Sequence, residues 1–144
     1  VAIGKIHDYG EGCACPMGAL AREFIEKLKA DGMQVIVDTD AGIEHFGRGV
    51  EAGSDRIVVV IDPSFESVQL SEKISEMGAK INKPVCFILN RMNEDAAELS
   101  SLVDGKKVIG SVPFDRDVFQ ACLKGSQVPQ LAEMKEIVDR LLAE

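Results

Sequence analysis

The sequence predicts an α/β fold with a three-layer, mostly parallel sheet and helices on both faces. Short runs rich in β-branched residues alternate along the chain with stretches whose apolar residues recur at helical spacing. This alternation is typical of parallel strands joined by right-handed helical crossovers. The strand-like runs are continuously apolar, as expected of strands covered on both faces. The 144 residues suit one domain, and a hydrophobic fraction of 46% is enough to fill its core.

The strands and helices predicted from these patterns follow one another along the whole chain. We expect strands at residues 1–6, 34–38, 56–61, 85–90 and 107–112. We expect helices at residues 17–30, 65–81, 93–103 and 130–144, the third having the weakest periodicity. The last helix has an apolar face, and its polar face is mainly acidic. Helices that bind membrane surfaces are usually basic, so this helix is predicted to dock onto the sheet.

Charge and hydropathy exclude several classes of function. Lys and Arg total 16 against 24 Asp and Glu, which gives a net charge of −8. This balance disfavours nucleic acid and anionic membranes as partners, because binding to phosphate groups needs clustered cations. No apolar run approaches the roughly 20 residues of a membrane span, and residues 1–6 lack the features of a signal peptide. The expected location is therefore cytoplasmic.

The four cysteines fall into two kinds. Cys13 and Cys15 lie in the segment Gly-Cys-Ala-Cys-Pro, between the first strand and the first helix. Cys86 lies in an apolar run and Cys122 lies at helical core spacing, and both are interpreted as buried structural residues. Two thiolates favour a soft or borderline metal ion such as nickel, zinc or copper(I). Two sulfurs do not complete a site, but a two-fold dimer would supply the same pair twice. A reactive dithiol, or two small residues in a tight turn, are the alternatives.

An acidic pair follows the second predicted strand. Asp38 and Asp40 precede Gly42, and carboxylates at the end of a strand lie where open α/β sheets bind ligands. Their oxygens suit Mg²⁺, and Gly42 would let the backbone approach a phosphate closely. The alternative is that Asp40 or Thr39 caps a following helix. His45 and Arg48, slightly further along, are interpreted as ordinary partnered or surface side chains.

Two further strand ends carry residues that could contact a base. Asn90 and Arg91 end the fourth predicted strand, and Pro113 ends the fifth. An asparagine amide presents both a donor and an acceptor to a purine edge, although asparagine is also common in turns. Each signal is weak alone, but together they mark adjacent strand ends from which a base pocket could be built.

These segments together resemble the C-terminal two-thirds of deviant-P-loop ATPases of the MinD/ParA/nitrogenase iron protein superfamily. Within it they are most similar to the CooC-type nickel-insertion ATPases, which mature carbon monoxide dehydrogenase. The resemblance covers nearly the whole chain in order, and the Cys-x-Cys element is its specific part. The segments that carry it are residues 12–16, 35–45, 62–64, 88–91 and 109–115.

The resemblance implies that residues 1–144 form the C-terminal portion of a single P-loop NTPase-like domain that is incomplete at its N-terminus. It implies ATP and Mg²⁺ as cofactors. Asp38 would be the Walker B-like acid near Mg²⁺, and Asp40 and Gly42 would belong to the switch II region, so these three are the candidate catalytic residues.

The same resemblance implies the rest of the site. Asn90 would contact adenine, with Arg91 and Pro113 beside it in the base pocket. Cys13 and Cys15 would bind nickel or zinc at a homodimer interface. ATP-driven dimerisation would be coupled to metal delivery to carbon monoxide dehydrogenase or a related nickel enzyme.

The chain departs from the family in one respect: it contains no Gly-x-x-x-x-Gly-Lys-Ser/Thr loop. We therefore do not expect this chain alone to hydrolyse ATP. Three explanations of the missing loop would fit: a fragment or processed chain, a split gene whose partner supplies the missing strand, or a degenerate family member. Val1 in place of methionine favours the first. Without the neighbouring strand of the family, apolar faces around residues 34–38 would be exposed.

The alternative function is a non-catalytic, ATPase-derived binding module that associates with a partner chain. A ParA-like role on DNA is disfavoured by the net charge of −8.

Overall fold

The computed structural model describes residues 3, 15–28, 32–39, 42–94 and 98–143. The strands are β1 (Ile57–Ile61), β2 (Val85–Met92) and β3 (Val108–Pro113). The helices are α1 (Cys15–Lys27), α2 (Glu44–Gly47), α3 (Phe65–Lys80), α4 (Leu99–Leu102), α5 (Arg116–Lys124) and α6 (Ala132–Leu142), and a 3₁₀ turn spans Val50–Gly53. The strands form a parallel sheet in the order β1-β2-β3. The predicted α/β fold class is confirmed.

The predicted elements differ in how well they match. The strands predicted at 56–61, 85–90 and 107–112 are present, as are the helices predicted at 17–30, 65–81 and 130–144, with ends shifted by a few residues. The helix predicted at 93–103 is reduced to α4, and residues 95–97 lie outside the described residues. Helix α5 was not predicted as an element, although Asp115 before it and Gly125 after it are cap residues.

The strand predicted at residues 34–38 is wrong. In the described part of the chain these residues belong to neither a helix nor a strand. A β-branched run becomes a strand only when a neighbour satisfies its backbone groups, so an apolar pattern alone does not secure one. The expected exposure is observed, since Val35, Ile36 and Val37 all face solvent and Ile36 is 93% exposed. The strand predicted at 1–6 falls outside the described residues except for Ile3.

The chain divides into two compact units. The first comprises Val1–Ile57 and Glu76–Pro84. In it, α1 packs against the 3₁₀ turn. Glycines allow this close packing, because a Cβ on Gly53 would lie 2.8 Å from Ile25 Cγ2, and a Cβ on Gly18 would clash with the side chain of Arg48.

The second unit comprises Val58–Ser75 and Val85–Glu144 and contains two hydrophobic clusters. Alternate residues of β2 point into each cluster, because successive side chains of a strand face opposite sides of a sheet. One cluster contains Ile61, Phe87, Leu89, Leu99 and Val103. The other contains Cys86, Ile88, Ile109, Val112 and Ile137. Strand β2 is therefore covered on both faces, as its continuous apolar run predicts.

Helix α6 packs on β3, as its apolar face predicts. Ile137 is 2% exposed and lies directly over Gly110, where a Cβ would clash with it. The guanidinium of Arg140 also donates from Nη1 to the carbonyl oxygen of Ile109 at 2.8 Å. The described residues include no helix whose length and apolar character would allow it to cross a membrane.

Candidate functional site

Polar side chains of the second unit meet where β1 and β2 end. Asp62 follows β1 directly, and Asn90 and Arg91 lie near the end of β2. The Asn90 amide donates from Nδ2 to Asp62 Oδ1 at 2.8 Å. Arg91 Nη1 lies 3.5 Å from Asp62 Oδ2. Asp62 thus binds two of the three residues that the sequence assigns to the base pocket, at the edge of the sheet where open α/β folds bind ligands.

A β-bulge places Asn90 and Arg91. In the pairing of β2 with β3, Leu89 is opposite Ser111 and Met92 is opposite Pro113. Two residues of β2 therefore face the single residue between Ser111 and Pro113. Arg91 takes the extra turn with a φ of 55°, which is unusual for a residue other than glycine. A bulge of this kind re-aims the side chains within it and recurs beside functional sites.

The backbone on either side of this cluster is fixed by hydrogen bonds. The Ser64 amide donates to the carbonyl oxygen of Asp62 at 2.7 Å, and the Ser64 hydroxyl accepts from the Ser67 amide at 3.2 Å in the first turn of α3. Beyond the bulge, the Phe114 amide donates to the carbonyl oxygen of Met92 at 2.9 Å. Hydrogen bonds therefore constrain the backbone next to the Asp62, Asn90 and Arg91 cluster at the ends of both β1 and β2.

The end of β3 contributes an apolar surface. Pro113 closes the strand and Phe114 follows it, 51% exposed. The rings of Phe114 and Phe119 lie 6.1 Å apart. Asp115 accepts a hydrogen bond from the Val118 amide at 2.8 Å and so begins α5 at this point. A planar base can pack on such a surface while a neighbouring amide reads its edge.

The candidate catalytic residues belong to the first unit. Asp38 is exposed, in a segment that is neither helix nor strand. Gly42 has a φ of 108°, and a Cβ there would clash with the carboxylate of Glu44, whose Oε2 accepts from the Ile43 amide at 3.1 Å. Only glycine fits this position without strain. Asp40 lies outside the described residues.

His45 has a partner in the same unit, as the sequence suggested for an ordinary histidine. Its Nδ1 contacts Glu51 Oε1, and the Glu51 side chain is only 7% exposed. Glu51 Oε2 is buried and has no hydrogen-bond partner among the described residues. Phe46, Glu51 and Met77 line a mainly apolar cavity of about 140 Å³ beside this pair.

The cysteine predictions have mixed outcomes. Cys86 is buried, as predicted, but Cys122 is exposed on α5, so its predicted burial is wrong. The helical spacing around Cys122 is present, but Ala121 rather than Cys122 faces the interior. Cys13 lies outside the described residues, and only the backbone of Cys15, at the start of α1, lies within them. The described residues contain no group of three or more metal-ligating side chains.

Sequence reasoning missed the part that Asp62 plays in this cluster. Its only signal was the Asp-Pro-Ser segment at a strand end. The bulge at Asn90 and Arg91 leaves no mark in the hydrophobic pattern, because both of its residues are polar.

The chain is similar in sequence to several curated proteins. It is 51% identical over 144 residues to an uncharacterised ATP-binding protein of Methanocaldococcus jannaschii, covering 98% of this chain and 58% of that protein. It is 33% identical over 117 residues to the carbon monoxide dehydrogenase accessory protein CooC of Rhodospirillum rubrum, covering 78% of this chain and 44% of CooC. It is 25% identical over 118 residues to the septum site-determining protein MinD of Bacillus subtilis, covering 74% of this chain and 44% of MinD.

The chain spans about half the length of these relatives. No protein-family profile matches it, and no solved structure does. The similarity to CooC and MinD agrees with the α/β sheet. The chain belongs to the CooC/MinD-type superfamily of P-loop ATPases.

Proposed function

We propose that this chain is part of an ATP-dependent metallochaperone that inserts nickel into carbon monoxide dehydrogenase or a related nickel enzyme. The relative from Rhodospirillum rubrum is a carbon monoxide dehydrogenase accessory protein. The observation that carries the nucleotide-binding part is the contact of Asn90 and Arg91 with Asp62 at the carboxyl edge of the sheet. It supports a base pocket built from residues that the sequence had already singled out.

In this proposal the adenine of ATP lies at the ends of β2 and β3. The Asn90 amide contacts its polar edge, and Pro113 and Phe114 supply apolar surface to its faces. Arg91 is 59% exposed and keeps its charge at the rim of the pocket. The aromatic surface and the constrained backbone both favour a rigid, planar ligand.

Hydrolysis is assigned to the complete gene product, because this chain contains no phosphate-binding Lys loop. Asp38 offers a carboxylate that suits Mg²⁺, and the ion, when bound, neutralises charge on the transferred phosphoryl group. Gly42 admits the backbone conformation with a φ of 108° that lets the following amides turn. Asp40, two residues after Asp38, is the second carboxylate of the acidic pair.

The cargo is held by Cys13 and Cys15. Thiolates suit nickel and zinc. Cys15 is the first residue of α1, and a helix N-terminus favours the thiolate form. Two copies of the chain supply four sulfurs, which is the usual number for a closed thiolate site. ATP binding brings the two copies together, and dimerisation therefore assembles the metal site.

Nucleotide binding is tested on the protein as its gene encodes it, by titration with fluorescent ATP. We expect Asn90→Ala to weaken ATP binding about tenfold, since a lost hydrogen bond costs about 1 kcal/mol and the pocket also loses packing. The matched control is Gln130→Ala, which removes an exposed amide from the loop before α6. If wild type and Asn90→Ala bind ATP with equal affinity, the base does not bind at Asn90.

Metal binding is tested by equilibrium dialysis with nickel and by sedimentation. We expect Cys13→Ser and Cys15→Ser each to abolish a stoichiometry of one nickel per dimer. Cys122→Ser is the matched control, because Cys122 is a free, exposed thiol on α5. Unchanged nickel binding in both loop variants, or an equal loss in the control, would count against the metal role.

The second candidate function is a non-catalytic binding module. The exposed apolar side chains of Val35, Ile36 and Val37 favour it, because such a run is a surface for association with another chain. Under this alternative, the gene product binds neither ATP nor ADP at micromolar concentration. Polar substitution at Ile36 would then abolish association while leaving the far-UV circular dichroism spectrum unchanged.

A further inference from the structure

The Asn90 amide alone cannot choose between two kinds of purine. Adenine presents an amino donor at position 6 and an acceptor at N1, whereas hypoxanthine and guanine present an acceptor at position 6 and a donor at N1. A primary amide carries one acceptor and one donor group of nearly equal size. A 180° rotation about its last torsion therefore matches it equally well to either edge.

Asp62 removes this ambiguity. A carboxylate only accepts hydrogen bonds, so it pairs with the NH₂ group of Asn90 and not with the oxygen. The Nδ2–Oδ1 distance of 2.8 Å is that of a good hydrogen bond. One N–H of Asn90 is thus used by Asp62, so a base at this position would be contacted by the amide oxygen and the second N–H.

Asp62 is itself held in place. Its backbone carbonyl accepts from the Ser64 amide at 2.7 Å, and its Oδ2 lies 3.5 Å from Arg91 Nη1. Both carboxylate oxygens therefore have partners, and these partners are donors. Asn90 and Arg91, which supply the two side-chain donors, are the residues of the bulge.

We propose that Asp62 is the residue that makes this site select adenine over 6-oxopurines, by locking the Asn90 amide with its oxygen facing the 6-amino group and its free N–H facing N1. This inference rests on the proposed function, since it needs the nucleotide base to lie at Asn90. Asp62 acts through Asn90 and is a positioning residue. Arg91 holds the second carboxylate oxygen and supports the same orientation.

The test compares ATP with ITP, whose base differs from adenine only in the polar groups of this edge. Affinities for both are measured by competition against fluorescent ATP, with the full gene product. For wild type we expect ITP to bind at least tenfold more weakly than ATP, which lies within the discrimination of about 5- to 150-fold that a bidentate amide–base pair gives.

The informative variant is Asp62→Asn. The new amide is isosteric with the carboxylate but can either accept from Nδ2 or donate to Oδ1, so both orientations of Asn90 become possible. We expect the ITP-to-ATP ratio of dissociation constants to fall to within about threefold of unity, mainly because ITP binds more tightly. Asp62→Ala, which leaves Asn90 without this partner, should lower the ratio in the same direction.

Asp139→Asn is the matched control, because it makes the same chemical change at an exposed position on α6 and should leave the ratio unchanged. Circular dichroism confirms that each variant is folded. A ratio in both Asp62 variants within about twofold of the wild-type ratio would overturn the inference, and so would an equal loss of ATP and ITP affinity, which indicates a purely structural role. If wild type binds neither nucleotide, the proposed function fails first and this inference falls with it.

Discussion

Gly110 and Ile137 provide the sharpest test of how the second unit packs. The side chain of Ile137 lies over Gly110, where a Cβ would clash with it, and only 2% of Ile137 is exposed. Ile137→Ala removes three buried carbon groups, each worth about 0.8 kcal/mol, and leaves a cavity. We expect a loss of about 3 kcal/mol in the free energy of unfolding, within the range of about 2–5 kcal/mol for such changes.

The reverse change at the other side of the contact is also destabilising. Gly110→Ala overpacks the contact at a cost of about 1–3 kcal/mol, partly offset by about 0.5–1 kcal/mol from removing a glycine from a strand. We expect a net loss of about 1 kcal/mol. In the double variant, the new methyl group occupies space that Ile137→Ala vacates, so the total loss should be about 2 kcal/mol rather than about 4.

Urea unfolding followed by far-UV circular dichroism on the four proteins measures this coupling. The matched control pairs Ile137→Ala with Gly47→Ala, because a methyl group on Gly47 meets no described heavy atom within 4 Å. That pair should be additive. If the Gly110 and Ile137 changes add to within about 0.5 kcal/mol, the close contact between β3 and α6 is wrong.

Three further changes test the site and its supports. Asp38→Ala should abolish Mg²⁺-dependent ATP hydrolysis by the full gene product while leaving its circular dichroism spectrum unchanged, and normal turnover in a phosphate-release assay would remove Asp38 from the catalytic residues. Asp115→Ala deletes the acceptor of the Val118 amide and should lower the free energy of unfolding by about 1 kcal/mol, whereas Asp117→Ala in the same turn, measured in the same urea titration, should cost less than half as much. Gly42→Ala forces a side chain onto a φ of 108° and against Glu44, so ATP turnover should fall at least tenfold, and a variant with wild-type turnover would show that this backbone conformation is not needed.

The sequence was most informative where residues are buried. Continuous apolar runs predicted β1, β2 and β3 because both faces of a central strand are covered, and Phe87 and Cys86 point into opposite clusters as such a run requires. The same pattern misled at residues 34–38, since it reports side-chain preference and not the presence of a paired neighbour. Cys122 shows the related limit: helical spacing predicts a helix, but a shift of one position exchanges the buried residue for an exposed one.

The candidate site was predicted as a set of residues but not as a geometry. Asn90, Arg91 and Pro113 were identified because polar or rigid residues follow apolar strands. The connection of Asn90 and Arg91 through Asp62 depends on contacts between side chains that are far apart in the chain, 28 residues for Asn90 and Asp62. No local sequence pattern encodes such a contact. The roles proposed for Asp38, Asp40, Cys13 and Cys15 stay predictions.

The irregular pairing at Asn90 and Arg91 has a consequence for how such proteins diverge. Deleting one residue there would restore even pairing between the two strands, so the sheet would tolerate the change. If the deleted residue is Asn90, the amide that donates to Asp62 is lost with it. A single-codon deletion could therefore erase base preference while sparing the scaffold, and alignments of relatives should be inspected for gaps at this point before nucleotide preference is transferred between them.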